Sequence, residues 1–143
     1  MSINQAPPQL ANKNLFQTRP FVDNEFVETT GSGKTFTVTN PATEEVLAEL
    51  PVQTEGEIDA AIESCHRAFQ TFKQTNSYDR AKMLRKLYDL MIENLDDLAV
   101  LITLECGKSL VDAKGEIKYA ASYFEWFSEE AKRNYGETIQ TSN

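Results

Sequence analysis

The apolar pattern changes period once, at Thr54, and that change restricts the folds open to this chain. Before it, apolar residues alternate with polar ones, as on a strand with one covered face. After it they recur every three or four residues, as on a helix. Phe21-Val22 and Phe26-Val27 flank Asp23-Asn24-Glu25, which reads as a tight turn. Between Lys34 and Thr39, Phe36 and Val38 alternate with threonines; Asn40-Pro41-Ala42-Thr43 then turns the chain. Val46, Ala48 and Leu50 alternate again until Pro51 ends the run. The expected product is a small antiparallel β-meander, too small to be stable by itself.

Four helices are expected to follow. Thr54 with Glu57 forms a capping box, each side chain satisfying a free amide of the first turn. Ile58, Ile62, Cys65, Phe69 and Phe72 then share the face expected to turn inward. A second helix starts at Ser77, with Ala81, Leu84, Tyr88 and Met91 inward. Asn94 can cap a third, carrying Leu98, Leu101 and Ile102 and stopping at Gly107.

The last helix, opened by Ser109 and Asp112 and closed near Gly136, carries two stripes. Ala113, Ile117, Ala120, Phe124, Phe127 and Ala131 make one. Tyr119, Tyr123 and Trp126 make a second, roughly 100° around the axis at the helical period. A surface helix needs one apolar stripe. Two stripes predict cover on two sides, and the sequence offers elements for one, so the chain reads as an incomplete α+β fragment.

Charge and composition exclude several functions. The 143 residues carry a formal net charge of -8, which disfavours nucleic acid and anionic lipid as partners. The hydrophobic share of 41% is that of a globular chain, and no apolar run reaches the length of a membrane span. Residues 1–20 are polar, lack a secretory apolar stretch and read as a flexible tail; residues 21–143 read as one incomplete domain. The absence of acidic residues before Asp23 is a faint trait of mitochondrial presequences, against a default expectation of cytoplasm. Two cysteines, Cys65 and Cys106, and one histidine, His66, give neither a disulfide framework nor a zinc cluster.

No local motif carries catalysis. Gly31-Ser32-Gly33-Lys34-Thr35 lacks the glycine five residues ahead that a phosphate loop needs, and a strand follows it; an ordinary turn is expected. Cys65 is expected to pack as an apolar side chain, and His66 to be solvated. Cys106 stands at a helix end whose dipole opposes thiolate formation. Glu125, Glu129 and Glu130 read as a solvated face with Lys132 and Arg133 as partners, and Asp96 and Asp97 as complements to a helix dipole.

Three longer segments resemble a known family. Asn40-Pro41-Ala42-Thr43 after a threonine-rich strand resembles the opening signature of the aldehyde dehydrogenase superfamily, and Leu104-Glu105-Cys106-Gly107-Lys108 resembles its Leu-Glu-x-Gly-Lys turn. The run Gly115 to Phe127, continued by Ser128-Glu129-Glu130-Ala131-Lys132-Arg133 and Tyr135-Gly136-Glu137-Thr138-Ile139, resembles the succinate-semialdehyde branch. One departure is Glu44, where the family usually has Gly, and strain in that turn is expected.

The resemblance implies the amino-terminal part of the cofactor-binding domain of an α/β enzyme. Members attack an aldehyde with a cysteine thiolate, pass hydride to NAD or NADP, and release the acid with glutamate-activated water. Cys65 and Cys106 match none of the family's catalytic positions, so no catalytic and no cofactor-binding residue is assigned here. NAD or NADP, a small aldehyde and homo-oligomeric assembly belong to the intact enzyme, and this chain alone is expected to bind no cofactor and to be inactive. The resemblance also implies a substrate tunnel bordered by Tyr119, Tyr123 and Trp126. It further implies a monovalent-cation site from the carbonyls of Val38 and Thr39 and the carboxylate of Glu105, where members using that site have Asp. The competing expectation is a non-catalytic helical interaction module that binds a partner through exposed aromatics.

Overall fold

The computed structural model describes residues 9–28 and 31–137. Strands precede helices, and the strands pair as two separate antiparallel hairpins rather than one continuous meander. In the first, β1 (Phe21–Val22) pairs with β2 (Glu25–Phe26). Asp23 and Asn24 turn it with φ of 54° and 67°, the doubly left-handed turn whose twist suits a two-residue hairpin. Phe21 and Phe26 face one another edge-on at 5.0 Å.

The second hairpin pairs β3 (Thr35–Thr39) with β4 (Val46–Pro51). Its register slips opposite Val38 and Thr39, where Leu47 of β4 is the extra, unpaired residue. Asn40 is buried and knits that turn: its Oδ1 accepts from the Ala42 amide at 2.9 Å and its carbonyl from the Glu44 amide at 2.8 Å. Glu44 sits at φ 60°, a conformation costly for any residue with a Cβ, as its departure from the family's glycine predicts. Gly31 and Gly33 form an ordinary turn into β3; a Cβ on Gly31 would lie 2.6 Å from the Val52 carbonyl oxygen.

Four helices follow among the described residues: α1 (Glu55–Phe72), α2 (Ser77–Glu93), α3 (Leu95–Cys106) and α4 (Leu110–Glu130). The Thr54–Glu57 capping box forms, with the Thr54 amide donating to Glu57 Oε2 at 2.8 Å and the Glu57 amide donating to Thr54 Oγ1 at 3.3 Å. Asn76 caps α2 and Ser109 caps α4, each accepting from the amide three residues on. Gly107 ends α3 in the left-handed conformation, φ 69°, that glycine adopts without strain. The last helix stops at Glu130, short of Gly136.

α4 packs along both α2 and α3, and small residues let it approach. Ala81, Ala99, Ala113 and Ala121 are buried together with Ile117 and Ser128. The inward stripe of α4 therefore runs through Ala113, Ile117, Ala121 and Ser128, displaced from the expected one; Phe127 is 51% exposed. Close backbone approach selects small side chains, and a search for large apolar residues overlooks them. Arg85 to Glu125 (3.4 Å) and Lys114 to Asp96 (2.7 Å) tie α4 to its neighbours at the rim.

α1 corrects a second expectation. It makes no substantial packing contact with the other helices, and its face of Ile58, Ile62, Phe69 and Phe72 is about half exposed throughout. Cys65, expected to be packed, is exposed on the same helix, where it borders a groove between α1 and the first hairpin. The start of the described chain lies against α3. Leu10 is buried, and the Ala11 and Asn12 amides bond to Asp97 of α3.

The chain exposes 11098 Å², whereas a compact monomer of its 16.1 kDa would expose about 7,400 Å². No large side chain is fully buried among the described residues. This is a surface built to be covered.

Candidate substrate-facing surface

The aromatic stripe of α4 survives as a continuous open face. Its helix packs through the small-residue seam on the opposite side, so Tyr119, Tyr123 and Trp126 project together, 64%, 47% and 65% exposed. The rings of Tyr119 and Tyr123 meet edge-on, centroids 5.1 Å apart at 80°, and their hydroxyls are hydrogen-bonded to each other. That bond favours the neutral phenol and pushes the Tyr123 pKa upward. A groove of about 440 Å³ opens beside them, lined by Ser122, Tyr123, Glu125, Trp126 and Phe127. Apolar rings around a few polar groups suit a small organic ligand or a packed protein surface.

Glu125, Ser122 and Phe127 were not anticipated on this face. No local signal gave them: Glu125 is paired with Arg85 of α2 rather than with Lys132 or Arg133, and Phe127 leaves the inward stripe because the seam runs through Ala121 and Ser128. Glu129 and Glu130 do pair with Lys132 and Arg133, at 2.9 and 2.6 Å. Lys132 lowers the Glu129 pKa through that hydrogen bond.

The residues expected to hold a cation lie at the other end of α3. Val38 and Thr39 stand opposite the irregularity at Leu47 of β4, where regular ladder pairing is interrupted. Glu105 is exposed in the last turn of α3, two residues before Gly107, where a Cβ would stand 3.1 Å from Pro41 Cγ. The strand end and the helix end are thus neighbours, and the oxygen donors are of the hard type that alkali cations accept. Among the described residues, no group of three or more His, Cys, Asp or Glu side chains is placed to hold a metal ion. Cys65, His66 and Cys106 are all exposed. No described helix is long and apolar enough to cross a membrane.

Two strand hairpins followed by a helical layer with an open aromatic face make up the described fold; the aldehyde dehydrogenase family pattern matches residues 26–143, and the chain belongs to that family. Within it, the chain is 50% identical over 136 residues to the NADP(+) succinate-semialdehyde dehydrogenase of Saccharomyces cerevisiae, covering 95% of this chain and 27% of that protein. It is 47% identical over 131 residues to the glutarate-semialdehyde dehydrogenase of Pseudomonas aeruginosa, covering 92% and 27%. The crystal structure of succinate-semialdehyde dehydrogenase from Burkholderia pseudomallei superposes with a TM-score of 0.87 at 38% identity, over 95% of this chain and 28% of that one. The chain thus spans about a quarter of the length of the relatives it matches, and corresponds to their amino-terminal part.

Proposed function

We propose that the intact protein oxidises succinate semialdehyde to succinate with NADP, and that this chain supplies the amino-terminal portion of its cofactor-binding domain. The observation that supports this reading best is the 50% identity to the NADP(+) succinate-semialdehyde dehydrogenase of S. cerevisiae over nearly the whole chain. The test is reduction of NADP and of NAD by the purified intact protein with succinate semialdehyde. Turnover with NADP is expected; no turnover with either cofactor overturns the reading. Glutarate semialdehyde is the second substrate to assay, because a relative of nearly equal identity bears that name. The 143-residue chain alone is inactive on this reading, and aldehyde-dependent turnover by it would contradict that. The proposal keeps the expected cytoplasmic location and homo-oligomeric assembly for the intact enzyme.

On this proposal the Tyr119, Tyr123 and Trp126 face borders the substrate tunnel. Its exposure and the adjoining groove support that role. Trp126→Ala should raise KM for the semialdehyde several-fold with a smaller effect on kcat, since loss of packing area weakens binding of ground and transition states alike. An unchanged KM removes the tunnel assignment. The proposal also has the Val38 and Thr39 carbonyls and Glu105 holding a monovalent cation in the intact enzyme. Glu105→Gln should then abolish any stabilisation by potassium over a bulky organic cation; equal potassium dependence in both proteins removes that site. The non-catalytic module is favoured only if the intact protein shows no aldehyde oxidation and a partner protects Trp126.

A further inference from the structure

A hydroxyl inside a helix ordinarily bonds back to a carbonyl of the preceding turn. Ser122 and Ser128 of α4 do so at 2.7 Å each, and Thr71 of α1 donates to the Ala68 carbonyl at 3.0 Å. Ser64 of α1 does not. It is only 6% exposed, yet its hydroxyl has no hydrogen-bond partner among the described residues. Nor is that hydroxyl sealed from solvent, as the unpaired Arg80 Nε and Thr103 Oγ1 are. An unpaired polar group in so covered a place requires an explanation.

Ser64 lines a groove of about 320 Å³ between α1 and the first hairpin. Phe21 and Val22 of β1, with Ala61 and Ala68 of α1, make its walls apolar. Cys65, the next residue, borders the same groove with a free, exposed thiol. The one charged side chain on the groove is Asp23 of the hairpin turn; among the described residues no lysine, arginine or histidine lines it. These groups select a ligand by elimination. Asp23 and the net charge of -8 oppose anions. The walls favour an uncharged hydrocarbon body. The Ser64 hydroxyl can donate to an acceptor oxygen, and the thiol beside it is a strong nucleophile for carbon.

We propose that this groove is a covalent modification site, where Cys65 adds to small, uncharged α,β-unsaturated carbonyl compounds while Ser64 hydrogen-bonds their oxygen. The sulfur bonds the β-carbon and the π pair of the C=C bond shifts toward the carbonyl oxygen. There the Ser64 hydroxyl meets the growing negative charge. The thiol proton ends on the α-carbon, so a C–S and a C–H bond replace the S–H bond and the C=C π bond. No oxidant and no second reactant is consumed. The alkyl part of the adduct lies along Phe21, Val22, Ala61 and Ala68.

The test is peptide mass spectrometry on the intact protein, with Cys106, the other exposed thiol, as internal reference. Crotonaldehyde is the conjugated carbonyl, its adducts fixed with borohydride. Diethyl disulfide, uncharged and without a carbonyl, is the comparison reagent. The ratio of the crotonaldehyde rate to the disulfide rate should be about three- to tenfold higher at Cys65 than at Cys106, the weight of one hydrogen bond. Ser64→Ala should bring the Cys65 ratio down to that of Cys106 and leave its rate with diethyl disulfide unchanged. Equal ratios at the two cysteines in the wild type, or no reaction of Cys65 with either reagent, overturns the site. Equal slowing of both reactions by Ser64→Ala, or no effect of that change on the ratio, overturns the part given to Ser64.

Discussion

Gly107 offers a test in which two costs separate. Alanine there must hold φ 69°, and its Cβ would stand 3.1 Å from Pro41 Cγ. Gly33 has nearly the same backbone demand, φ 73°, with nothing within 4 Å of an added Cβ. The left-handed conformation costs a residue with a Cβ about 1–2 kcal/mol, and the stiffer unfolded chain returns about 0.4–1 kcal/mol. Gly33→Ala should therefore destabilise by about 1 kcal/mol. Gly107→Ala adds an overpacked contact against a turn that cannot easily yield, because Asn40 bonds it from both ends. That adds about 1 kcal/mol, for roughly 2 kcal/mol in all. Pro41→Ala removes the atom being struck, so in that background Gly107→Ala should cost no more than Gly33→Ala. Urea unfolding of the intact protein, followed by circular dichroism, measures all four variants. Equal costs at Gly107 and Gly33 in the parent background, or no coupling between Gly107 and Pro41, would refute the reasoning.

Two further outcomes follow from the second hairpin. Glu44→Gly should stabilise the protein by about 0.5–1 kcal/mol by relieving φ 60°, and any loss in the urea midpoint contradicts the strain assigned there. Hydrogen bonds from Thr37, then Thr35, hold the Glu49 carboxyl below its usual pKa. The folded state thus binds the Glu49 proton less tightly than the unfolded one, so its contribution is present above the ordinary carboxylate range and is lost as pH falls through the folded value. Thr37→Val should move the Glu49 titration upward by NMR; an unchanged titration excludes the 2.7 Å Thr37 bond as the cause.

Local chemistry was legible in the sequence. The Thr54 box, the Ser77 start, the Ser109 cap and the Gly107 stop each depend on residues within a turn of one another, and each forms. The strain at Glu44 was readable for the same reason. What escaped depends on distant partners. Periodicity shows that the Ile58 and Phe69 face of α1 wants cover, but not what covers it, and among the described residues nothing does. The seam of α4 was misplaced because Ala121 and Ser128 are selected by close approach, not by hydrophobicity. Asn94 reads as a cap and is diverted by Asn12, 82 residues earlier. The aromatic face was found because its covering surface is not needed to recognise the stripe.

On the proposed function, the open face of Tyr119, Tyr123 and Trp126 is covered in the intact enzyme. Hydroxyl-radical footprinting of the peptide carrying Tyr119, Tyr123 and Trp126, in the 143-residue chain and in the intact protein, tests it directly. Rapid oxidation of Trp126 is expected in the chain alone, in keeping with its 65% exposure, and strong protection in the intact protein. Equal oxidation in both, or a monomeric isolated chain with Trp126 already protected, would contradict it.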